Sequence, residues 1–235
     1  LVAIISPILG TIADSTKSKK KFLIAFTSMS VIFTALLFFV GAGDIFYGML
    51  FFILAEIGYR ASQVFYDALL TDVSTPQSIG KVSGIGWAVG MLGGIAALLL
   101  VMLPIQFVGN EMIPYAFIIT AVFYLLSALP TFLWVKEKGG NSTERQKASK
   151  TIKDAFGRLA VTFKSVKNYK EFIKYMIAFL IYNDGIMMLM DFAAIIGATL
   201  YGMEALQLII FVILIHVAGA IGALLFGRIS DKKSS

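Results

Sequence analysis

Long apolar stretches recur along the chain, separated by short polar connections. Each is long enough for a helix of about 20 residues, which is what crossing roughly 30 Å of bilayer hydrocarbon requires. Only 14% of the residues are charged and 58% are hydrophobic, whereas a soluble domain carries more charge and shorter apolar runs. The alternating pattern of barrel strands is absent. The sequence therefore predicts an all-α polytopic membrane protein. The predicted spans are 22–42, 46–69, 82–104, 113–135, 172–200 and 204–227, with 1–12 as the end of a further span.

The basic residues lie almost entirely in alternate connections between these spans. Nineteen of the 20 Lys and Arg fall on one side, which the positive-inside rule identifies as cytoplasmic. The exception is Arg60, inside a span. Basic residues confined to loops indicate orientation in a membrane, so no nucleic-acid partner is expected. The long connection 136–171 lies on the cytoplasmic side, and its apolar spacing predicts a helix on the membrane surface or a solvated linker helix.

Metal and catalytic chemistry find little support in the sequence. The chain has no cysteine and a single histidine, His216, so we expect no metal site and no cofactor. The phosphate-binding, zinc-protease and nucleophile-elbow motifs are missing as well, and we expect no enzyme activity. Because the chain begins with Leu1 inside an apolar segment, we expect it to be an internal piece of a longer protein.

One face of the 46–69 span carries Glu56, Arg60, Gln63 and Asp67, with Tyr66 beside them. Their spacing places them on one side of a helix. Ionisable groups in the membrane interior are costly and face protein or a water-filled cavity. The stripe therefore predicts the lining of a substrate or ion cavity. The alternative is a structural ion pair between Glu56 and Arg60 that fixes the helix to a neighbour.

A second polar group lies on the 172–200 span and consists of Asn183, Asp184 and Asp191. No basic residue balances these aspartates between Phe179 and Tyr201, so Asp184 is a candidate proton or cation site. Gly185 would permit a local break in the helix there. The alternatives are a hydrogen-bonded structural Asp184 and a solvated Asp191.

Small residues recur at helical spacing on two of the predicted spans. Such stripes allow helices to approach closely, either as a sliding contact for alternating access or as static packing. His216 lies on the second of these spans and is expected to pack or hydrogen-bond, with a proton relay as the alternative. The predicted packing residues are Gly86, Gly90, Gly94 and Gly219.

A glycine, three residues, an aspartate and then lysines occur twice, at Gly10 with Asp14 and at Gly227 with Asp231. Both copies stand where an apolar span meets the basic side, which is typical of a transporter with two similar halves. We interpret them as cytoplasmic gate motifs.

These motifs resemble the signature loops of the major facilitator superfamily. Within it, further stretches resemble the vacuole effluxer family of amino-acid exporters and their prokaryotic relatives. Those stretches are Val64-Phe-Tyr-Asp-Ala-Leu-Leu70, Lys81-Val-Ser-Gly-Ile-Gly-Trp87, Asn168-Tyr169 and Tyr182-Asn-Asp-Gly-Ile186. The resemblance implies a major facilitator-type bundle running from the late second helix to the loop after the eighth. It places part of the N-terminal bundle in 1–135, a linker in 136–171 and the start of the C-terminal bundle in 172–235.

The resemblance also implies a function. It is secondary transport of a small polar solute by alternating access, with amino-acid efflux and proton coupling as finer expectations. The expected partners are the lipid bilayer, a small-molecule substrate and protons, and the expected location is the plasma membrane of a prokaryote. A lipid or drug transporter of the same fold and a non-transporting scaffold or receptor are the alternatives.

Overall fold

Helices account for nearly all of the part of the chain that the computed structural model describes, which is Leu9 and residues 19–137 and 170–233. No strand occurs in these ranges. Short 3-10 turns, Leu37–Phe39 and Asn110–Met112, follow the first helix and precede the fourth. The helices are α1 (Lys19–Leu36), α2 (Ile45–Val73), α3 (Ile79–Val108), α4 (Ile113–Trp134), α5 (Lys170–Tyr201) and α6 (Ala205–Lys233).

The connections are tight where glycine permits a backbone that other residues avoid. Gly109 caps α3 with a φ of 118°, and its N–H donates to the carbonyl of Ile105 over 3.0 Å. Gly202, with a φ of 61°, begins the short connection from α5 to α6. A positive φ is costly for residues with a Cβ, so glycine suits both turns.

Within the described residues, five helices are long and apolar enough to cross a membrane, and a sixth span results if the two arms of α5 count together. This confirms the all-α polytopic class. The arms, Lys170–Met188 and Phe192–Tyr201, meet at an angle of 58°. The bend therefore falls after the position predicted from Gly185. Large apolar side chains such as Phe107 and Trp134 point outward, as expected for surfaces against lipid.

Helices α1 and α2 form a closely packed pair. A Cβ added at Gly58 would lie 2.8 Å from both the carbonyl oxygen of Phe26 and the backbone nitrogen of Ser30, so the absent side chain lets the two backbones approach. Phe65 is fully buried and stacks on Phe22, with ring centroids 5.2 Å apart. Phe26 stacks on the same ring at 5.8 Å. The pair is locked by both a close backbone approach and interleaved rings.

Helices α3 and α6 meet through glycines of both partners. A Cβ at Gly84 would lie 2.6 Å from the carbonyl oxygen of Ala223, and one at Gly227 would lie 2.8 Å from that of Gly80. The contact thus brings backbone directly against backbone. It joins the part of the chain before the predicted linker to the part after it.

Larger side chains continue the α3–α6 contact away from these glycines. The sulfur of Met91 occupies the notch at Gly219, where a Cβ would lie 2.6 Å from it. The imidazole of His216 lies against Gly94, and its Nδ1 is 2.9 Å from the carbonyl oxygen of Val212.

The structure corrects part of the predicted stripe on α3, because Gly94 lies against His216 of α6 whereas Gly86 and Gly90 do not contact α6. Gly90 has open space around it, and a Cβ at Gly86 would come no closer than 3.8 Å to any neighbour, the Tyr66 hydroxyl on α2. The contact with α6 begins instead at Gly80 and Gly84. The physical reason is the rotation of α3 about its own axis, which turns Gly80, Gly84 and Gly94 towards α6 and leaves Gly86 and Gly90 out of the contact.

Several predicted features fall outside the described residues. They are Gly10, Asp14, the surface helix in 136–171 and the side chains of Asp191 and Asp231. Helix α6 continues to Lys233, so the backbone from Gly227 through Asp231 is helical where a loop was expected.

Candidate functional site on the polar face of α2

Helix α2 has two opposite faces. Its packed face follows small and apolar residues against α1, centred on Gly58 and Phe65. At 100° per residue, the predicted polar stripe lies about half a turn away from that face. The stripe consists of Glu56, Arg60, Gln63 and Asp67. The stripe is therefore directed away from the contact between α2 and α1 and takes no part in that contact.

Glu56 and Arg60 form an ion pair at the middle of this 29-residue helix. The Nε of Arg60 donates to Oε1 of Glu56 over 2.6 Å. The side chains of Arg60 and Glu56 retain 50% and 42% of their accessible surface. Arg60 lies about 20 Å from either end at 1.5 Å per residue, which is the depth of a bilayer centre. The pair thus lies at central depth, and the described helices leave about half of its surface uncovered.

Tyrosine side chains link the Glu56–Arg60 pair to the neighbouring helix α4. The guanidinium carbon of Arg60 lies 5.6 Å from the centroid of the Tyr59 ring, within cation–π range. Tyr59 meets the ring of Tyr124 on α4 edge to face, at 6.2 Å and 71°. The hydroxyls of Tyr124 and the buried Ser62 are 3.1 Å apart. The charge pair is connected to α4 through these contacts.

The other residues of the stripe lie towards α3 and towards the end of α2. The Tyr66 hydroxyl is near Gly86 of α3, and Gln63 is half-buried. Asp67 is exposed and lies two turns beyond Arg60. Together they form a polar strip that runs from the centre of the helix towards its C-terminal end.

The carboxylate of Asp184 on α5 does not belong to this strip in the structure. Asp184 is exposed, Asn183 is half-buried, and Asp184 has no hydrogen-bond or ion-pair partner within the described residues. In the structure α5 packs against α6. Asp184 and the Glu56–Arg60 pair are therefore separate polar features of the described chain.

A cluster of lysine contacts lies at the end of the bundle where α1 begins and α2 and α4 end, called here the basic end. The Lys19 ammonium is 3.3 Å from Oδ2 of Asp72 and donates to the carbonyl of Ala68 over 3.1 Å. The Lys20 ammonium donates to the carbonyl of Val135 over 2.8 Å, and its backbone N–H donates to Glu137. The start of α1 thus holds the ends of two other helices.

Sequence reasoning missed both the lysine cluster and the Ser62–Tyr124 contact. The lysines were interpreted only as markers of orientation. The available signal for Ser62 and Tyr124 was their polarity inside otherwise apolar spans, because hydroxyl groups in a membrane usually find a partner on a neighbouring helix. No group of three or more metal-ligating side chains occurs among the described residues.

Long apolar helices, outward-facing apolar side chains and a charged face within one span define a polytopic α-helical membrane protein. The family model described as "Vacuole effluxer Atg22 like" matches residues 1–235. The chain belongs to this family.

One relative is 28% identical over 240 residues and bears the name "Uncharacterized MFS-type transporter YxiO" in Bacillus subtilis (strain 168). The alignment covers 99% of this chain and 55% of the relative, so the chain spans about half of the relative's length. No solved structure matches the chain. The relative carries the major facilitator name, which agrees with the resemblance noted in the sequence.

Proposed function

We propose that the chain forms part of a secondary transporter that moves a small polar solute by alternating access. The observation that carries this proposal is the exposed Glu56–Arg60 pair at mid-depth of α2, on the face opposite its packing contact. Membership of the effluxer family and the transporter name of the Bacillus relative support it.

The physical argument starts from the cost of charge in lipid. A charged side chain at the bilayer centre costs about 2.5–3.5 kcal/mol on insertion scales and more in isolation. An ion pair reduces that cost, but a pair with about half its surface open still requires a polar environment. A water-filled path along the outer face of α2 provides one. The same path gives a solute access to the pair.

The chemistry of the pair favours an amino acid as the solute. A guanidinium presents a planar fork of donors that matches a carboxylate, and a carboxylate accepts from an ammonium group. Arg60 and Glu56 hold both functions one helical turn apart, so a zwitterion can address both residues. Gln63, Tyr66 and Asp67 supply further polar groups along the strip.

Alternating access requires two bodies that part and rejoin. We propose that the α3–α6 contact is where the part before the linker meets the part after it, with the basic end on the cytoplasmic side of a prokaryotic plasma membrane. Asp184 is a candidate for proton coupling and Asp191 for an outer polar rim. Gly227 and Asp231, with Gly10 and Asp14, are candidates for the gate.

The test uses the full-length protein in proteoliposomes loaded with unlabelled solute. We expect exchange of labelled zwitterionic alanine but not of propionate or ethylamine, each of which lacks one of the two charges. Arg60→Gln should lower exchange by about tenfold or more, the range of a lost hydrogen bond to a charged group. The matched control is Lys174→Gln, which removes a positive charge from an exposed pair with Glu171.

Two results would contradict the proposal. One is unchanged exchange in Arg60→Gln and Glu56→Gln protein that melts like the wild type. The other is a failure of well-folded wild-type protein to exchange any member of an amino-acid panel.

Proton coupling has its own experiment. An imposed pH gradient should drive uptake, and both Asp184→Asn and Glu56→Gln should reduce that driven component. Uptake that the pH gradient does not drive would exclude protons as the coupling ion. Driven uptake that neither substitution changes would exclude Asp184 and Glu56 as the proton sites.

A further inference from the structure

We propose that Tyr124 is a positioning residue for the Arg60–Glu56 pair, acting from α4 through Ser62 and the ring of Tyr59. The inference deepens the proposed function, since it assumes that Arg60 meets the solute. It assigns a role to a residue that lies on a different helix and does not itself belong to the polar stripe.

The first step is the direction of the hydrogen bonds. The Ser62 hydroxyl donates to the carbonyl oxygen of Tyr59 over 2.7 Å. A serine hydroxyl has one hydrogen, so it can only accept from its second partner. The Tyr124 hydroxyl, 3.1 Å away, is therefore the donor to Ser62. Because Ser62 is 1% exposed, water does not compete for this bond.

The second step is the ring contact. The hydrogen bond to Ser62 fixes where the hydroxyl end of the Tyr124 side chain lies, and the ring of this side chain meets Tyr59 edge to face. This arrangement places the positive edge of one ring against the negative face of the other. Tyr59 is 38% exposed, and the Tyr124 contact is one restraint on the tilt of its ring.

The third step is the charge itself. The Tyr59 ring lies beneath the Arg60 guanidinium at 5.6 Å, and Glu56 holds the Nε of that group from the side. Ring and carboxylate both contact this group and both restrain the orientation of its fork. A tilt of the Tyr59 ring shifts the guanidinium relative to an incoming carboxylate. Tyr124 therefore acts on solute affinity through geometry.

The test compares two tyrosine-to-phenylalanine variants on α4 in the full-length protein. Tyr124→Phe removes the hydroxyl and keeps the ring. Tyr115→Phe is the matched control, because Tyr115 packs on Phe38 outside the network. We expect Tyr124→Phe to raise the KM of alanine exchange by about three- to tenfold, the range of one neutral hydrogen bond, with kcat and thermal midpoint little changed. Ser62→Ala should give a similar change that does not add to the first.

A second readout does not depend on transport. With ¹⁵N-labelled arginine, the Arg60 Nε–H resonance, assigned through its loss in Arg60→Lys, should shift in Tyr124→Phe and stay in place in Tyr115→Phe. An unmoved resonance in Tyr124→Phe overturns the positioning role, whatever transport shows. A moved resonance with unchanged KM in active protein overturns it too. If Arg60→Gln leaves exchange intact, the proposed function fails, and the Nε signal still decides whether Tyr124 positions the guanidinium.

Discussion

The contact between α1 and α2 and the contact between α3 and α6 use the same device in different surroundings. In both, a glycine lets one backbone approach another, at Gly58 in the first and at Gly84 with Gly227 in the second. The first is surrounded by stacked phenylalanine rings and lies near the Lys19–Asp72 pair. The second continues through Met91 and His216.

The difference indicates two kinds of joint. Close approach through glycine creates a specific fit in each case, but interleaved rings and an ion pair must all be broken before α1 and α2 separate. Helices α3 and α6 join the two sides of the predicted linker through small residues flanked by Met91 and His216, and no stacked rings lie between these two helices within the described residues. We infer that the first joint is permanent and that the second can part. Glycine-to-alanine substitutions test this directly, since each gains a similar helix propensity.

The largest effect is expected for Gly58→Ala. The new methyl group would meet two backbone atoms at 2.8 Å, and neither can move without displacing α1. Overpacking of this kind typically costs about 1–3 kcal/mol, and we expect the upper part of that range. The measurement is the thermal midpoint in detergent.

Gly48→Ala on the same helix is the control, because the nearest atom to its Cβ is a Val40 methyl carbon at 3.4 Å. If the thermal midpoint of Gly58→Ala is no lower than that of Gly48→Ala, the inference that the α1–α2 contact is permanent is contradicted.

A smaller loss of stability is expected for Lys19→Met. This change removes the ammonium that contacts Asp72 and the Ala68 carbonyl, and keeps much of the apolar stem. The two side chains are only 16% and 10% exposed, so the contact is screened less than a surface pair. We expect a loss of about 1–2 kcal/mol. Denaturation midpoints would measure it.

Lys21→Met provides the comparison, because Lys21 is exposed on the same turn. Equal midpoints for the two methionine variants would show that the lysine cluster adds nothing to the first joint.

The smallest loss of stability, under about 1 kcal/mol, is expected for Gly84→Ala, because separation of α3 from α6 relieves the clash with the Ala223 carbonyl. The population of the joined state should fall instead. The described chain has no cysteine of its own, so Met91→Cys with Gly219→Cys reports the joined state by disulfide yield in a cysteine-free background. We expect a several-fold lower yield.

Gly90→Ala, with open space around it, should leave that yield unchanged. If Gly84→Ala instead lowers stability as much as Gly58→Ala does, the two joints are alike and the distinction fails.

The spans and the polar stripe could be predicted because both are properties of one helix. Apolar length determines what crosses a bilayer, and a period of 3.6 residues places Glu56, Arg60 and Asp67 together whatever surrounds them. The Glu56–Arg60 pair was foreseen as one alternative for the same reason.

Contacts between distant segments could not be predicted in this way. Lys19 and Asp72 are 53 positions apart, and Ser62 and Tyr124 are 62 apart. Each looks like an ordinary loop or span residue until the helices are assembled. The choice of Gly84 over Gly90 depends on how α3 is rotated, which its own sequence leaves open. The bend of α5 falls on residues without proline or glycine, so no local signal marked it.

The position of the Met91 sulfur in the Gly219 notch has a mechanical consequence. A thioether chain turns about several bonds at low cost and can follow an irregular surface. When one helix moves along the other by a fraction of a turn, the sulfur can track the notch and keep it filled. The contact therefore tolerates small changes in the register of the two helices. A rigid branched side chain such as valine at position 91 would not adapt in this way.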